Sequence, residues 1–109
     1  MEDSPYTRCR RLEAELGGVL SHIDIAELPG AEQKLLTGLK QTMIDARLDV
    51  QDYELAETRE DQLRNAKDGQ ARLGQVKAAI IAASSYNVFS AVDVAQLSAT
   101  IEQIIDDLQ

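Results

Sequence analysis

The sequence predicts an all-α fold, an antiparallel helical bundle of about four helices with a long second helix or a helical hairpin arm. Apolar residues recur in steps of three and four along most of the chain, which is the spacing of one helix face. Only 4% of the residues are aromatic, and no stretch alternates with period two for long enough to indicate a strand. The length of 109 residues suits one domain, and we expect a single helical domain over 1–109.

The first helix is predicted over 5–22. Ser4 is a good N-cap and Pro5 suits the first helical position. The apolar seam of this helix consists of Cys9, Leu12, Leu16, Val19 and Ile23. The helix ends before Leu28-Pro29-Gly30, because a residue that precedes proline is disfavoured in helical dihedral angles.

A second helix is predicted over 31–66 and a third over 71–84, separated by a turn at Asp68-Gly69, because glycine adopts the backbone angles that end helices. The seam of the second helix consists of Leu36, Leu39, Met43, Ala46, Val50 and Tyr53. Residues 54–72 keep a helix-forming composition but are too polar to be well buried in their own monomer. We expect them to form an arm that projects or pairs with another helix. One kinked helix from Ala31 to about Ser84 is the alternative.

The last helix is predicted over 91–108 and has the most regular apolar pattern of the chain. Ser90 and Asp93 have the spacing of a capping box, with aspartate in place of glutamate. The apolar seam consists of Val94, Leu97, Ile101, Ile104 and Leu108.

Composition and charge exclude several classes of function. The chain has 19 acidic and 11 basic residues, a formal net charge of −8, so we expect no binding of nucleic acid by general charge. No apolar run approaches the ~20 residues of a membrane span, and the acidic start of the chain is unlike a signal peptide. Cys9 is the only cysteine, which favours a reducing compartment. We therefore expect a cytoplasmic protein that does not bind membranes.

Few residues have the chemistry of a catalytic centre. His22 is the only histidine and Cys9 the only cysteine. Thirteen residues on one helix separate them by about 20 Å, far beyond hydrogen-bond reach. We predict no catalytic residues, no cofactor-binding residues and no cofactor.

Two rows of carboxylates are the strongest candidates for a cation site. Compact helical enzymes that hydrolyse nucleotides hold magnesium with such groups, and hard cations prefer clustered oxygens. The rows consist of Asp45, Asp49 and Asp52, and of Glu54, Glu57 and Asp61. Because arginines are interleaved with these acids, we interpret both rows as a solvated face and predict no metal site.

A surface near the end of the chain is the candidate for binding a partner. Aromatic residues in a turn either close the end of a bundle or anchor a partner. No basic residue follows Lys77, so the last helix has a purely acidic outer face. The predicted partner-binding residues are Tyr86, Val88, Phe89, Glu102, Asp106 and Asp107.

These observations favour a non-enzymatic module for protein–protein interaction or assembly. We expect it to form a homodimer, antiparallel through the second helix, because long helices are stabilised mostly by packing. The partner is another protein of unknown identity. Two alternatives are a small metal-dependent nucleotide hydrolase that uses the helix carboxylates, and an acidic inhibitor or mimic that binds a basic groove of its partner.

Overall fold

The computed structural model describes residues 3–108 and confirms the all-α antiparallel bundle. The four helices are α1 (Pro5–Leu20), α2 (Gly30–Leu55), α3 (Arg59–Ser84) and α4 (Ala91–Asp107), and a single turn of 3₁₀ helix at Ile25–Glu27 lies between the first two. The part of the chain described contains no strand. None of its helices is long and apolar enough to cross a lipid bilayer.

Three helices begin at a side chain that caps them. The hydroxyls of Ser4, Thr58 and Ser90 accept hydrogen bonds from backbone N–H groups three residues later, at 3.0–3.2 Å. At Ser90 the capping box is complete, because Asp93 Oδ2 also accepts from the Ser90 N–H. The start signals predicted at Ser4 and Ser90 are therefore confirmed.

The turn predicted at Asp68-Gly69 is wrong, and so is the alternative of one continuous helix. The chain reverses at 56–58, so that α2 and α3 are separate helices of 26 residues each. Thr58 had the required signal, since Glu60 and Asp61 follow it in the first turn of α3, where acids complement the helix dipole. The observed form is therefore the helical hairpin.

Gly69 lies inside α3 and marks the place where that helix approaches its neighbours most closely. It is buried, and a Cβ atom at this position would lie 3.3 Å from Leu108 Cδ1 and 3.5 Å from Val50 Cγ2. Ala46 of α2 and Ala66 of α3 are also buried. The glycine therefore serves packing between helices rather than the end of a helix.

Each helix packs against two others, so that the four form a closed ring in chain order. Ion pairs join all four neighbouring pairs: Glu13 with Arg47 between α1 and α2, Arg72 with Asp45 and Asp49 between α2 and α3, Lys77 with Glu102 between α3 and α4, and Arg8 with Asp107 between α1 and α4. The buried core is entirely apolar within the residues described. All neighbouring helices run antiparallel, which is the up-down-up-down arrangement of a four-helix bundle.

The hairpin is longer than the rest of the bundle. Helix α4 ends beside Gln70, whose Nε2 donates to the carbonyl oxygens of Ile105 and Leu108 at 3.0 and 3.1 Å. The first ten residues of α3 therefore extend past α4, and α1 contacts this end of the hairpin through the Tyr6 N–H, which donates to Glu54 Oε1 at 2.9 Å. This projecting end, residues 51–68, is called the hairpin tip below. It includes most of the arm predicted at 54–72.

The contact at Gly69 leads to a paired prediction with Gly74, which lies on the same helix. A Cβ at Gly74 would meet nothing within 4 Å. We expect Gly69→Leu to lower the free energy of unfolding by about 3 kcal/mol through overpacking. Gly74→Leu should leave it unchanged or raise it by up to about 1 kcal/mol, because leucine is the better helix former.

Urea denaturation followed by circular dichroism measures both variants against the wild type. Equal destabilisation by the two substitutions would contradict a close helix contact at Gly69.

Candidate interaction surface

The aromatic turn between α3 and α4 divides between core and surface. Phe89 is 4% exposed and belongs to the core, and Val88 is half-buried against it. Tyr86 stays 42% exposed. Asn87 has a left-handed φ of 62°, which asparagine tolerates better than most residues. Phe89 thus closes the end of the bundle, and Tyr86 is the aromatic residue of the turn that a partner could reach.

Two of the three carboxylates of α4 that were predicted to bind a partner form ion pairs within the bundle. Glu102 pairs with Lys77, and Asp107 pairs with Arg8. Asp106 is exposed. Since two of the three predicted carboxylates face cations of neighbouring helices, the charge of this helix is used in part to hold the bundle together. The sequence could not indicate this, because both cations lie far away along the chain.

The two carboxylate rows have separate surroundings. Asp45 and Asp49 both face Arg72 of α3, at 3.5 and 3.0 Å. The second row is broken because α2 ends at Leu55 and Glu57 lies in the connection. Within residues 3–108, no three His, Cys, Asp or Glu side chains are grouped as they would be to hold a metal ion.

Cys9 and His22 lie in different environments. The thiol of Cys9 is fully buried, and this burial, with repulsion from Glu13 as a smaller cause, raises its pKa to about 12. It is therefore protonated at neutral pH and unreactive. His22 is exposed just after α1. The structure does not bring these two residues together.

An apolar stripe that the sequence analysis did not single out runs along the outside of α2. Its members, called the outer stripe, are Ile44, Leu48 and Leu55, which are 36%, 43% and 69% exposed. They lie four and then seven residues apart, so three helical turns bring them onto one line. Gln41 and Gln51 complete a heptad spacing with them. This side of α2 faces away from the core seam of Leu36, Leu39, Met43, Ala46 and Val50.

Cations border the outer stripe on its α1 side. Lys40 lies with Ile44 and Gly17 along a groove between α1 and α2. Further along, Arg10 and Arg47 line a groove of about 530 Å³ together with Glu13, which accepts from Arg47 Nε at 2.5 Å. This border, the basic rim, contains three cations and Glu13, and Glu54, which accepts from the Tyr6 N–H of α1, adds a second carboxylate next to Leu55.

Carboxylates border the outer stripe on its α3 side. They are Asp45 and Asp49, which pair with Arg72, and Asp52 and Asp68, whose charges act on Asp49. Burial raises the pKa of Asp49, Arg72 opposes that rise, and the charges of Asp68 and Asp52 add to it. This border is called the acidic rim. The outer stripe therefore lies between rims of opposite sign.

The sequence contained a signal for this surface. Ile44 and Leu48 are large apolar residues that do not belong to the core seam of α2, and a helix with one buried face has no packing reason for a second apolar line. What the sequence could not give is which neighbour lies on each side of that line. That depends on the order of the helices around the bundle.

The positions of Phe89 and Tyr86 lead to a prediction about the turn. Phe89→Ala should lower the free energy of unfolding by about 3–4 kcal/mol, because it leaves a cavity at the end of the core. Tyr86→Ala should change it by less than about 1 kcal/mol, since that ring is largely in solvent.

Thermal and chemical unfolding of the isolated protein measures both. A Phe89→Ala variant as stable as the wild type would show that the ring does not close the bundle.

Comparison of the chain with models of known protein families, with curated proteins and with solved structures found no significant match.

Proposed function

We propose that this protein is a non-enzymatic interaction and assembly module that associates with a second copy of itself through the outer stripe of α2. The observation that carries the proposal is the line of Ile44, Leu48 and Leu55 at heptad spacing on the solvent side of a long helix. Such a line is the seam by which helices pair. Covering it removes apolar surface from water, which is the main driving force of association.

The surroundings of the stripe favour a second copy as the partner. The stripe lies between the basic rim and the acidic rim, so each copy presents both signs of charge that the other needs. Complementary rims of this kind select a partner and fix its position. Symmetric dimers formed through one shared patch are also the commonest oligomers.

Self-association has a different structural basis from the one that the sequence indicated. Residues 54–72 were expected to need a partner because of their polarity, but α3 packs on α2 within the monomer. The case for self-association now rests on the outer stripe. Its three side chains cover far less than the ~800 Å² per partner of a standard interface. We therefore expect a weak dimer with a dissociation constant in the micromolar range.

The test replaces one member of the stripe with a charged residue. Leu48→Glu should weaken self-association at least about tenfold, since it places an unpaired carboxylate in the seam. The matched control is Ile81→Glu, which changes an apolar residue of similar exposure on α3. Sedimentation equilibrium between 10 and 500 μM measures all three proteins.

We expect the wild type and Ile81→Glu to dimerise with similar dissociation constants, and Leu48→Glu to dimerise at least about tenfold more weakly. A wild type that stays a 12.0 kDa monomer throughout this range would overturn the proposal. So would a dimer that Ile81→Glu dissociates and Leu48→Glu does not.

A further inference from the structure

We propose that the two copies pair in parallel, with their α2 helices running in the same direction and both hairpin tips at the same end of the dimer. This inference rests on the proposed self-association through the outer stripe. It concerns the orientation of the second copy, and therefore which surfaces the assembled protein presents. The observation that carries it is the opposite charge of the two rims.

The symmetry of a two-fold pair decides which rims meet. When two identical faces meet about an axis parallel to α2, the left border of one copy faces the right border of the other. The basic rim then meets the acidic rim twice. When the axis is perpendicular to α2, each border faces its own equivalent, so the basic rim meets the basic rim and the acidic rim meets the acidic rim.

The contacts expected between individual residues also favour the parallel orientation. A heptad has two seam positions. In a parallel pair of helices, the residue just before the first of them contacts, on the other helix, the residue whose number is five higher than its own. Lys40 and Arg47 precede the seam positions Gln41 and Leu48, and the residues five positions later are Asp45 and Asp52. Both pairs join opposite charges, and the two-fold axis repeats each of them.

An antiparallel pair has the opposite balance. It sets Lys40 and Arg47 beside the basic rim of the second copy, and Asp45 and Asp49 beside its acidic rim. Arg47 keeps Glu13 as a partner and Asp45 keeps Arg72, but each rim still has an excess of one sign. Like charges held across an interface oppose association. The antiparallel pairing expected from the sequence is therefore the less favourable orientation.

A parallel dimer brings the two hairpin tips together. Leu55 and Leu63, which are 69% and 43% exposed, lie at this end of the monomer. Leu55 is then covered by its equivalent in the seam, and the two copies of Leu63 lie at the same end of the dimer. An antiparallel dimer instead places the tips at opposite ends.

The orientation is tested by introducing one additional cysteine at a time at Gln41 or Gln51, the two polar seam positions, and measuring disulfide cross-linking between copies. In a parallel dimer each position faces its own equivalent, so Gln41→Cys and Gln51→Cys should each form a disulfide-linked dimer on mild oxidation. The two sites lie ten residues, about 15 Å, apart along α2. A two-fold axis perpendicular to the helix therefore passes beside at most one of them.

Two controls make the readout specific. The wild type has only the buried Cys9, whose raised pKa keeps it unreactive, so it should give no linked dimer. Gln75→Cys places an exposed thiol on α3, away from the stripe, and should give at least about tenfold less product than either α2 variant, because disulfides need Cβ atoms ~4 Å apart.

Sedimentation equilibrium of the same variants under reducing conditions measures whether they dimerise without a disulfide. This distinguishes a failure of parallel pairing from a failure of the proposed self-association. Linked dimers from both α2 variants support parallel pairing. Dimerisation in which only one variant links, or only a mixture of the two links, overturns parallel pairing and leaves the proposed function in place. Dimerisation in which neither α2 variant links, alone or mixed, also overturns parallel pairing, and the effect of Leu48→Glu on that dimer then decides whether it uses the outer stripe. The absence of dimers at 500 μM overturns both proposals.

Discussion

The close packing of α3 on α2 is the contact on which the rest of the bundle depends. Neither helix has enough large apolar residues to be stable on its own in water, and long helices gain most of their stability from packing. Gly69 lies at this contact, and its lack of a side chain lets the two backbones come near each other. Once the hairpin is formed, its inner face offers the surface on which α1 and α4 pack.

This arrangement also determines which charges are free. Arg8, Arg47 and Lys77 each pair with a carboxylate of a neighbouring helix. The molecule is acidic as a whole, yet its charge is divided into borders of opposite sign along α2. Exposed ion pairs contribute little to stability individually. The pair of Arg47 with Glu13 borders the outer stripe, where it reduces the positive charge of the basic rim.

Much of the fold could be predicted from the sequence, because local signals define it. The seams place the buried positions, and Ser4 and Ser90 define two helix starts. The boundary between α2 and α3 could not be predicted with the same certainty, since Gly69 satisfies the rule for a helix end as well as the rule for a tight helix contact. Only the position of Leu108, nearly forty residues away, distinguishes the two. Within the candidate site, the stripe and the part of each rim that lies on α2 were readable from the sequence, but the contributions of Arg10 and Asp68 were not, because these residues come from other helices.

The closed ring of helices has a consequence for how the chain folds. Three of the four helix contacts join elements that follow one another along the chain, and only the contact between α1 and α4 joins distant ones. Folds dominated by such local contacts pay little loop-closure entropy and fold rapidly, often within milliseconds. The ring therefore closes through a contact whose formation need not limit the rate. A chain of this kind spends little time with its apolar seams open to other molecules.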